Sequence, residues 1–385
     1  MKRIPYGRQW IDEEDIEEVV KVLKGDWITQ GPMIEKFEKA IAEYVGVKYA
    51  VVFNSGTSAL HGAMFAAGVT SGDEVITTPI TFVATSNSAI YQGAKPVFVD
   101  IDMSSYCIDV SRIEEKINSR TKAVVPVDYA GFPIDMKAIM KIAKKHNLVV
   151  IEDAAHALGA IRYGKKVGQE ADMTMFSFHP VKHITTGEGG VIVTNNKDYY
   201  EKLKMFRTHG ITKNVAFMEK NDGPWYYEMH YLGYNYRITD IQCALGFSQL
   251  KKIEMFIKRR IEIASMYDEA FKDIDLIATP PKPTYSDSRH VYHIYPILLD
   301  RRVNRKEFFM KLREKGILAQ VHYIPVHLQP FYRKKYGYKN GDFPIAEDFY
   351  EREVTIPLFP KMSDEDVNYV IKSVLKTLKE MESTS

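Results

Sequence analysis

One lysine lies in the polar segment Ser177-Phe178-His179-Pro180-Val181-Lys182-His183-Ile184, which continues as Thr185-Thr186-Gly187-Glu188-Gly189-Gly190. Upstream, the apolar run Leu148-Val149-Val150-Ile151-Glu152 has the pattern of a buried strand and leads to Asp153. Alone, each residue is common, because most lysines are solvated and most aspartates at strand ends cap the next helix. Their meaning depends on the order of strands and polar residues around them.

Short apolar strands alternate with helical patterns of about ten residues through the first part of the chain. This rhythm predicts a mainly parallel sheet covered by helices on both faces. We predict strands at 49–53, 74–78, 96–99, 122–127, 148–152, 173–177 and 190–194, and helices at 12–24, 33–45, 57–67, 82–92, 111–118 and 135–146.

A second, smaller α/β region is expected towards the C-terminus. After an irregular, aromatic-rich segment at 211–232, we predict one long helix from Thr239 to about residue 271. Pro280-Pro281-Lys282-Pro283 marks a turn. Further strands are expected at 293–299 and 317–322, and helices at 303–315 and 363–381. We therefore expect a large domain over 1–250 and a small one over 251–385.

The composition is that of an ordinary globular protein, with 45% hydrophobic and 26% charged residues. A formal net charge of +2 predicts no binding to nucleic acid or membrane as partners. Cys107 and Cys243 stand far apart in the sequence, which argues against a disulfide framework and a zinc site. The N-terminus lacks a secretory apolar run, so we expect a cytoplasmic protein. No cluster of metal-ligating residues stands out in the sequence, so we expect no metal.

Polar residues follow several of the predicted strands, at the edge where open α/β sheets bind ligands. Ser55, Gly56 and Thr57 open a helix and offer an anion site, although an ordinary helix cap would have the same residues. Phe82 could stack on an aromatic ligand or pack in the core.

Further along, His156 could bond a ring oxygen or simply pack, and Ser177 could bind a phosphate. Lys182 could bind an aldehyde covalently, and Asp153 could keep a pyridine nitrogen protonated. Together these strand ends match the needs of one cofactor, pyridoxal phosphate (PLP), and a Gly-rich nucleotide fingerprint is absent. We therefore predict Lys182 and Asp153 as catalytic residues of a PLP enzyme.

At this point the chain resembles the sugar aminotransferases of the DegT/DnrJ/EryC1/StrS family, a fold type I PLP group. The match runs nearly end to end. It rests on Trp27-Ile28-Thr29-Gln30-Gly31-Pro32, Asn54–Ser58, Ile151-Glu152-Asp153-Ala154-Ala155-His156-Ala157-Leu158-Gly159, Ser177–Gly190, Leu232-Gly233-Tyr234-Asn235-Tyr236-Arg237 and Thr239-Asp240-Ile241-Gln242.

The resemblance implies a seven-stranded, mainly parallel sheet, PLP with pyridoxamine phosphate as its second form, and L-glutamate as amino donor. It implies a homodimer with shared active sites, in which Asn235 reaches the neighbour's cofactor phosphate. It also implies that segment 1–30 lines the substrate side. The residues expected to bind the substrate are Tyr6, Trp27, Thr29, His322 and Tyr323.

Finer motifs are similar to the pseudaminic acid branch of the family, which forms UDP-4-amino-4,6-dideoxy-N-acetyl-β-L-altrosamine from a 4-keto sugar nucleotide. They are Ile4–Gln9, Val127–Gly131, Pro180–Thr186 and Gln320–Pro325. Three alternatives stay open: another UDP-, TDP- or GDP-keto sugar as substrate, a pyridoxamine phosphate-dependent sugar dehydratase in which His183 faces the cofactor, and a non-enzymatic regulator.

Overall fold

A seven-stranded sheet lies at the centre of the larger part of the molecule, as the computed structural model of residues 2–382 shows. Its strands, numbered along the chain, are β1 (Tyr49–Phe53), β2 (Glu74–Thr77), β3 (Lys95–Phe98), β4 (Thr121–Val125), β5 (Val149–Asp153), β6 (Met173–Ser177) and β7 (Gly190–Thr194). Their spatial order is β1-β7-β6-β5-β4-β2-β3. Only β7 is antiparallel to its neighbours within this sheet, so the predicted architecture is confirmed.

The helices in residues 2–382 cover this sheet and build the C-terminal part. They are α1 (Glu13–Leu23), α2 (Pro32–Val45), α3 (Gly56–Ala66), α4 (Ala84–Tyr91), α5 (Met136–His146), α6 (Lys197–Arg207), α7 (Asp240–Leu250), α8 (Ile253–Phe271), α9 (Arg305–Glu314), α10 (Pro330–Tyr336), α11 (Pro344–Arg352) and α12 (Asp364–Glu382). Helix α2 shows why the periodic segments fold this way, because Phe37, Ile41 and Val45 form one buried face. Within the described chain, none of these helices is long and apolar enough to span a membrane.

A three-stranded antiparallel sheet forms the centre of the C-terminal part. Its strands are β8 (Ile277–Ala278), β9 (Tyr295–Leu299) and β10 (Glu353–Ile356), in that spatial order. The N-terminal strand Ile4–Pro5 pairs in parallel with Ile317–Leu318, and Ile4 is buried among residues of this C-terminal core. The beginning of the chain is therefore held against the C-terminal part, and the domain division at residue 250 stays a prediction.

The predicted single helix from Thr239 to residue 271 is wrong. The chain leaves helical geometry at Lys252, and α7 and α8 are separate helices. The ammonium of Lys252 lies 2.6 Å from Asp12 Oδ1 and 2.7 Å from the buried Asp15 carboxylate. An ion pair to another part of the chain therefore accompanies the break, which the apolar period alone does not reveal.

Two other predicted elements are shorter than expected. Instead of a helix at 111–118 there are two 3₁₀ turns, Val110–Arg112 and Glu114–Lys116, and Ile113 between them is the residue of this segment that is fully buried. The strand expected at 317–322 covers Ile317–Leu318. Beyond it, Gln320 pairs with Thr355 as an isolated bridge.

Candidate active site

One cavity of about 440 Å³ lies beyond the carboxyl ends of β1, β2, β5 and β6. This volume is within the range of roughly 300–1,000 Å³ that small-molecule sites occupy. The predicted residues that line it are Tyr6, Ser55, Gly56, Thr57, Phe82, Asp153, His156, Ser177, Lys182, His322 and Tyr323. The fold thus brings together both predicted catalytic residues and most of the predicted binding residues.

Asp153 ends β5, and its carboxylate is buried and held on both oxygens. Thr85 Oγ1 on α4 donates to Oδ2 at 2.7 Å, and the backbone N–H of Ala155 donates to Oδ1 at 3.2 Å. Burial raises the pKa of Asp153 above its usual range, while the Thr85 bond, the Ala155 bond and the charge of Lys182 oppose that rise. An ionised carboxylate here is best compensated by a cationic partner inside the cavity.

Lys182 reaches the same cavity from the loop after β6. The loop is closed by backbone bonds from Phe178 N to Gly189 O at 2.9 Å and from Thr186 N to Phe178 O at 3.0 Å. Among the described residues, the lysine amine has no hydrogen-bond or ion-pair partner. Removal from water lowers the pKa of Lys182 to about 7, with a further lowering by Arg260, although Asp153 opposes the shift. The amine is therefore available as a neutral nucleophile near neutral pH.

The start of α3 forms an anion site in the same cavity. Ser55 caps α3 by accepting from the N–H of Ser58 at 3.1 Å, which leaves the N–H groups of Gly56 and Thr57 pointing from the helix start. A Cβ on Gly56 would meet Ser177 Oγ at 3.4 Å, so these two predicted phosphate ligands are neighbours. The helix-cap and phosphate-site interpretations are compatible, because Ser55 uses its side chain while the backbone groups stay free.

Phe82 and His156 also line the cavity. Phe82 is 59% exposed within this chain, so it is not the core aromatic that the alternative interpretation required. His156 Nδ1 accepts from the N–H of Ala130 at 3.2 Å, and Nε2 lies 3.1 Å from the hydroxyl of Tyr323. Burial lowers the pKa of His156 well below its usual range, so the ring is neutral and its proton is on Nε2. Residues 154–160 form turns, so no helix joins Asp153 to His156.

Three predicted residues lie outside this cavity. Trp27 and Thr29 are exposed in the segment before α2, where Thr29 bridges Thr239. Asn235 is exposed and bridges Thr208. Within one chain these residues do not contribute to the site, and the roles implied for them need a second subunit.

His183 points away from the cavity. Its Nε2 lies 3.1 Å from the carbonyl oxygen of Val291, and the side chain is buried. The neighbouring Lys182 lines the cavity instead. This orientation removes the basis for the dehydratase alternative, which required His183 to face the cofactor.

Sequence reasoning missed Thr85, which donates to Asp153, and His293 and Glu188, which also line the cavity. Thr81 and Thr85 are four residues apart after β2, and their hydroxyls are 2.7 Å from one another. Both threonines follow β2, at the sheet edge where ligands bind, and this position was a usable signal. Glu188 lies in the same loop as Lys182, where its role was overlooked, whereas His293 carries no local signal because long-range folding brings it to the site.

The residues present fit PLP. The amine of Lys182 would bind the aldehyde, and the start of α3 would bind the phosphate. The exposed Phe82 would stack on the ring, and the buried Asp153 carboxylate would pair with the pyridinium nitrogen. The sheet and this cavity define a fold type I PLP-dependent aminotransferase.

More narrowly, the chain belongs to the DegT/DnrJ/EryC1/StrS aminotransferase family, whose model matches residues 9–375. It is 42% identical over 98% of its length, and 97% of the relative's, to the spore coat polysaccharide biosynthesis protein SpsC of Bacillus subtilis. It is 41% identical, over 98% of both chains, to the UDP-4-amino-4,6-dideoxy-N-acetyl-beta-L-altrosamine transaminase of Campylobacter jejuni.

Among solved structures, it is similar to Helicobacter pylori PseC, an aminotransferase involved in the biosynthesis of pseudoaminic acid. The TM-score is 0.91 and the identity 39%, with 98% of this chain and 100% of that chain covered. The predicted family, enzyme class and cofactor are thus confirmed.

Proposed function

We propose that this protein transfers the amino group of L-glutamate to the 4-keto carbon of a UDP-linked 4-keto-6-deoxy sugar, forming UDP-4-amino-4,6-dideoxy-N-acetyl-β-L-altrosamine. The observation that supports it most is the presence of Lys182, Asp153 and the anion site at the start of α3 in one cavity. The sugar itself is proposed from the likeness to the C. jejuni transaminase and to PseC.

PLP supplies an aldehyde that takes up an amino group and a ring that accepts electrons from the donor's α-carbon. With PLP bound, Lys182 would act as general base when the donor α-carbon loses its proton in the first half-reaction, and as general acid when the sugar carbon gains a proton in the second. Its pKa of about 7 suits both directions near neutral pH. Asp153 holds the ring nitrogen in its protonated form throughout.

His156 would hold the cofactor's ring oxygen through the proton on Nε2. The backbone N–H of Ala130 fixes this tautomer, because it donates a hydrogen bond to Nδ1, which therefore carries no proton. Tyr323 shares the same Nε2 proton and lines the cavity beside Phe82, with ring centroids 6.2 Å apart. The neutral imidazole therefore orients groups and is not expected to exchange protons with the substrate.

A homodimer with shared sites is part of this proposal. Large apolar side chains are exposed on the single chain, among them Trp27 (59%), Trp225 (73%) and Leu232 (78%). Surfaces of this kind are typical of subunit interfaces. Asn235 lies in the same sequence segment as Leu232, which supports its proposed reach to the partner's cofactor phosphate. The cytoplasmic location also stays a prediction.

The substrate assignment is tested by mixing the purified protein with glutamate and a panel of UDP-, TDP- and GDP-keto sugars. Mass and NMR analysis identify the product. Amination of the UDP-4-keto-6-deoxy-N-acetylhexosamine is expected. Amination of only a TDP- or GDP-linked hexose contradicts the assignment within the same family, and loss of a sugar hydroxyl without amination contradicts transamination.

The catalytic assignment is tested with Lys182→Ala. Loss of general acid–base and covalent catalysis should lower kcat by about 10²–10⁴-fold or more. Borohydride should fix the cofactor covalently to the wild-type protein and not to this variant. Lys334→Ala, the same change at an exposed lysine, serves as control and should keep wild-type kcat. Wild-type turnover by Lys182→Ala would refute the mechanism.

A further inference from the structure

A chain of hydrogen bonds leads from the cavity to a fully buried carboxyl group. His322 lines the cavity, and its Nδ1 lies 2.9 Å from Thr355 Oγ1. Thr355 Oγ1 lies 2.5 Å from Glu353 Oε1. The other carboxyl oxygen, Oε2, accepts from the backbone N–H of His322 at 2.8 Å. Glu353 and Thr355 are both 0% exposed.

Strand geometry explains why these groups align. Glu353 and Thr355 are two residues apart on β10, so their side chains lie on one face of the strand. The bonds from Gln320 N to Thr355 O and from Thr355 N to Gln320 O, at 3.0 and 2.8 Å, fix the segment that carries His322. The hydroxyl of Tyr129 donates to the carbonyl of His322. The backbone around His322 is therefore fixed, its Nδ1 is held by Thr355, and Nε2 has no partner among the described residues.

The hydrogen-bond directions depend on the charge of Glu353. An ionised carboxylate only accepts, so Thr355 must donate to Glu353 and its oxygen must accept from Nδ1–H of His322. The Nε2 atom then presents a lone pair to the cavity. A protonated Glu353 instead donates to Thr355, Thr355 donates to Nδ1, and the ring proton is on Nε2.

We propose that Glu353 and Thr355 are positioning residues that form a proton relay with His322 and thereby set whether its Nε2 accepts or donates a hydrogen bond in the cavity. A proton taken up from the cavity at Nε2 is balanced by transfer of the Nδ1 proton to Thr355 and of the Thr355 proton to Glu353. The ring is neutral before and after, and one proton is stored on Glu353.

The electrostatics of the site support such a relay. Burial raises the pKa of Glu353 to about 8, and the bonds from Thr355 and from His322 N, together with the charge of Arg305, oppose the rise. Burial lowers the pKa of His322 to about 3, helped by Lys182. A buried imidazolium is thus unfavourable, whereas a neutral carboxyl is not. The titratable groups that face the relay are Tyr6, Tyr106, Tyr129, His156, Lys182, Arg305 and Tyr323.

The relay is tested in the holoenzyme without substrate, by ¹⁵N NMR of selectively labelled histidines. The chain has 11 histidines, and His322→Gln identifies the signal. In the wild type, the ring proton should move from Nδ1 to Nε2 as pH falls through about 8. Glu353→Gln should hold Nε2–H at every pH, because its amide donates to Thr355. Thr355→Val should abolish the pH dependence, and Thr355→Ser should retain it.

The catalytic consequence rests on the proposed transamination and has its own measurement. The pH profile of kcat should show an inflection near pH 8 in the wild type and in Thr355→Ser, and should lose it in Thr355→Val and Glu353→Gln. A wild-type His322 tautomer that stays constant from about pH 6.5 to about 9.5 would overturn the relay. So would an identical pH response in Thr355→Val. If Glu353→Gln fails to fold, the Thr355 pair decides. Because the tautomer is read without substrate, a wrong substrate leaves this test intact.

Discussion

At the scale of single residues, one cause shifts the two predicted catalytic groups in opposite directions. Removal from water lowers the pKa of Lys182 to about 7 and raises that of Asp153, because burial disfavours each charged form. Their mutual attraction opposes both shifts. The cavity therefore supplies a neutral amine at ordinary pH while it leaves the Asp153 carboxylate in need of a cation.

Thr85→Val tests how much the support of Asp153 matters. The variant removes the 2.7 Å bond to Oδ2, so the pKa of Asp153 should rise further and its hold on a protonated ring nitrogen should weaken. A bond to a charged group contributes about 1.5–3 kcal/mol, so kcat should fall roughly tenfold or more. Thr85→Ser keeps the hydroxyl and is the matched control. Equal kcat in wild type and Thr85→Val would show that the bond is unimportant.

The sequence predicted the residues of the site that follow strands directly, because parallel strands end at one sheet edge. Asp153, Ser177 and Lys182 are of this kind. Glu353 and Thr355 could not be predicted, since β10, 31 and 33 residues further along the chain, brings them beside His322. Buried polar chains of this type depend on long-range packing, which local patterns do not encode.

At the scale of elements, the anion site depends on close contact between β7 and the turn before α3. A Cβ at Gly190 would lie 2.7 Å from both N and Cα of Gly56 and from the carbonyl oxygen of Ser55. Only glycine permits this approach of two backbones. The antiparallel strand β7 thus has a role in the site besides its place in the sheet.

Gly190→Ala should therefore displace the turn. Overpacking of this kind costs about 1–3 kcal/mol, so Tm should fall, and cofactor affinity should weaken roughly tenfold. Thermal melting and titration with PLP measure the two effects. Gly25→Ala is the control, because its Cβ would meet nothing nearer than 3.5 Å. Unchanged Tm and affinity in Gly190→Ala would show that the turn adapts.

Elements with a strong apolar period were predictable, and those shaped by contacts with other parts of the chain were not. Helix α2 lies one residue from its predicted start, because Phe37 and Ile41 define its buried face. The break between α7 and α8 coincides with an ion pair from Lys252 to Asp12 and Asp15. An apolar period in the sequence indicates which residues of a helix are buried, whereas a break in a helix depends on contacts with residues elsewhere in the chain.

At the scale of the whole molecule, the single chain leaves large apolar side chains exposed. Helix α1 is one example, because its apolar residues Ile16 and Leu23 are 47% and 56% exposed. Trp27, Trp225 and Leu232 add to this surface. In the homodimer that we propose, a second copy of the chain buries this surface and brings Asn235 to a neighbouring cavity.

A mixed dimer distinguishes a shared site from a self-contained one. Lys182→Ala and Asn235→Ala should each be nearly inactive as pure dimers. In a hybrid of the two variants, one site combines the intact Lys182 of one chain with the intact Asn235 of the other. Random reassociation of equal amounts makes about half of the dimers hybrid, each with one working site, so about a quarter of wild-type activity should return. If Asn235 served its own chain, every hybrid site would lack one residue. Activity would then stay at the level of the separate variants, and the shared-site proposal would be wrong.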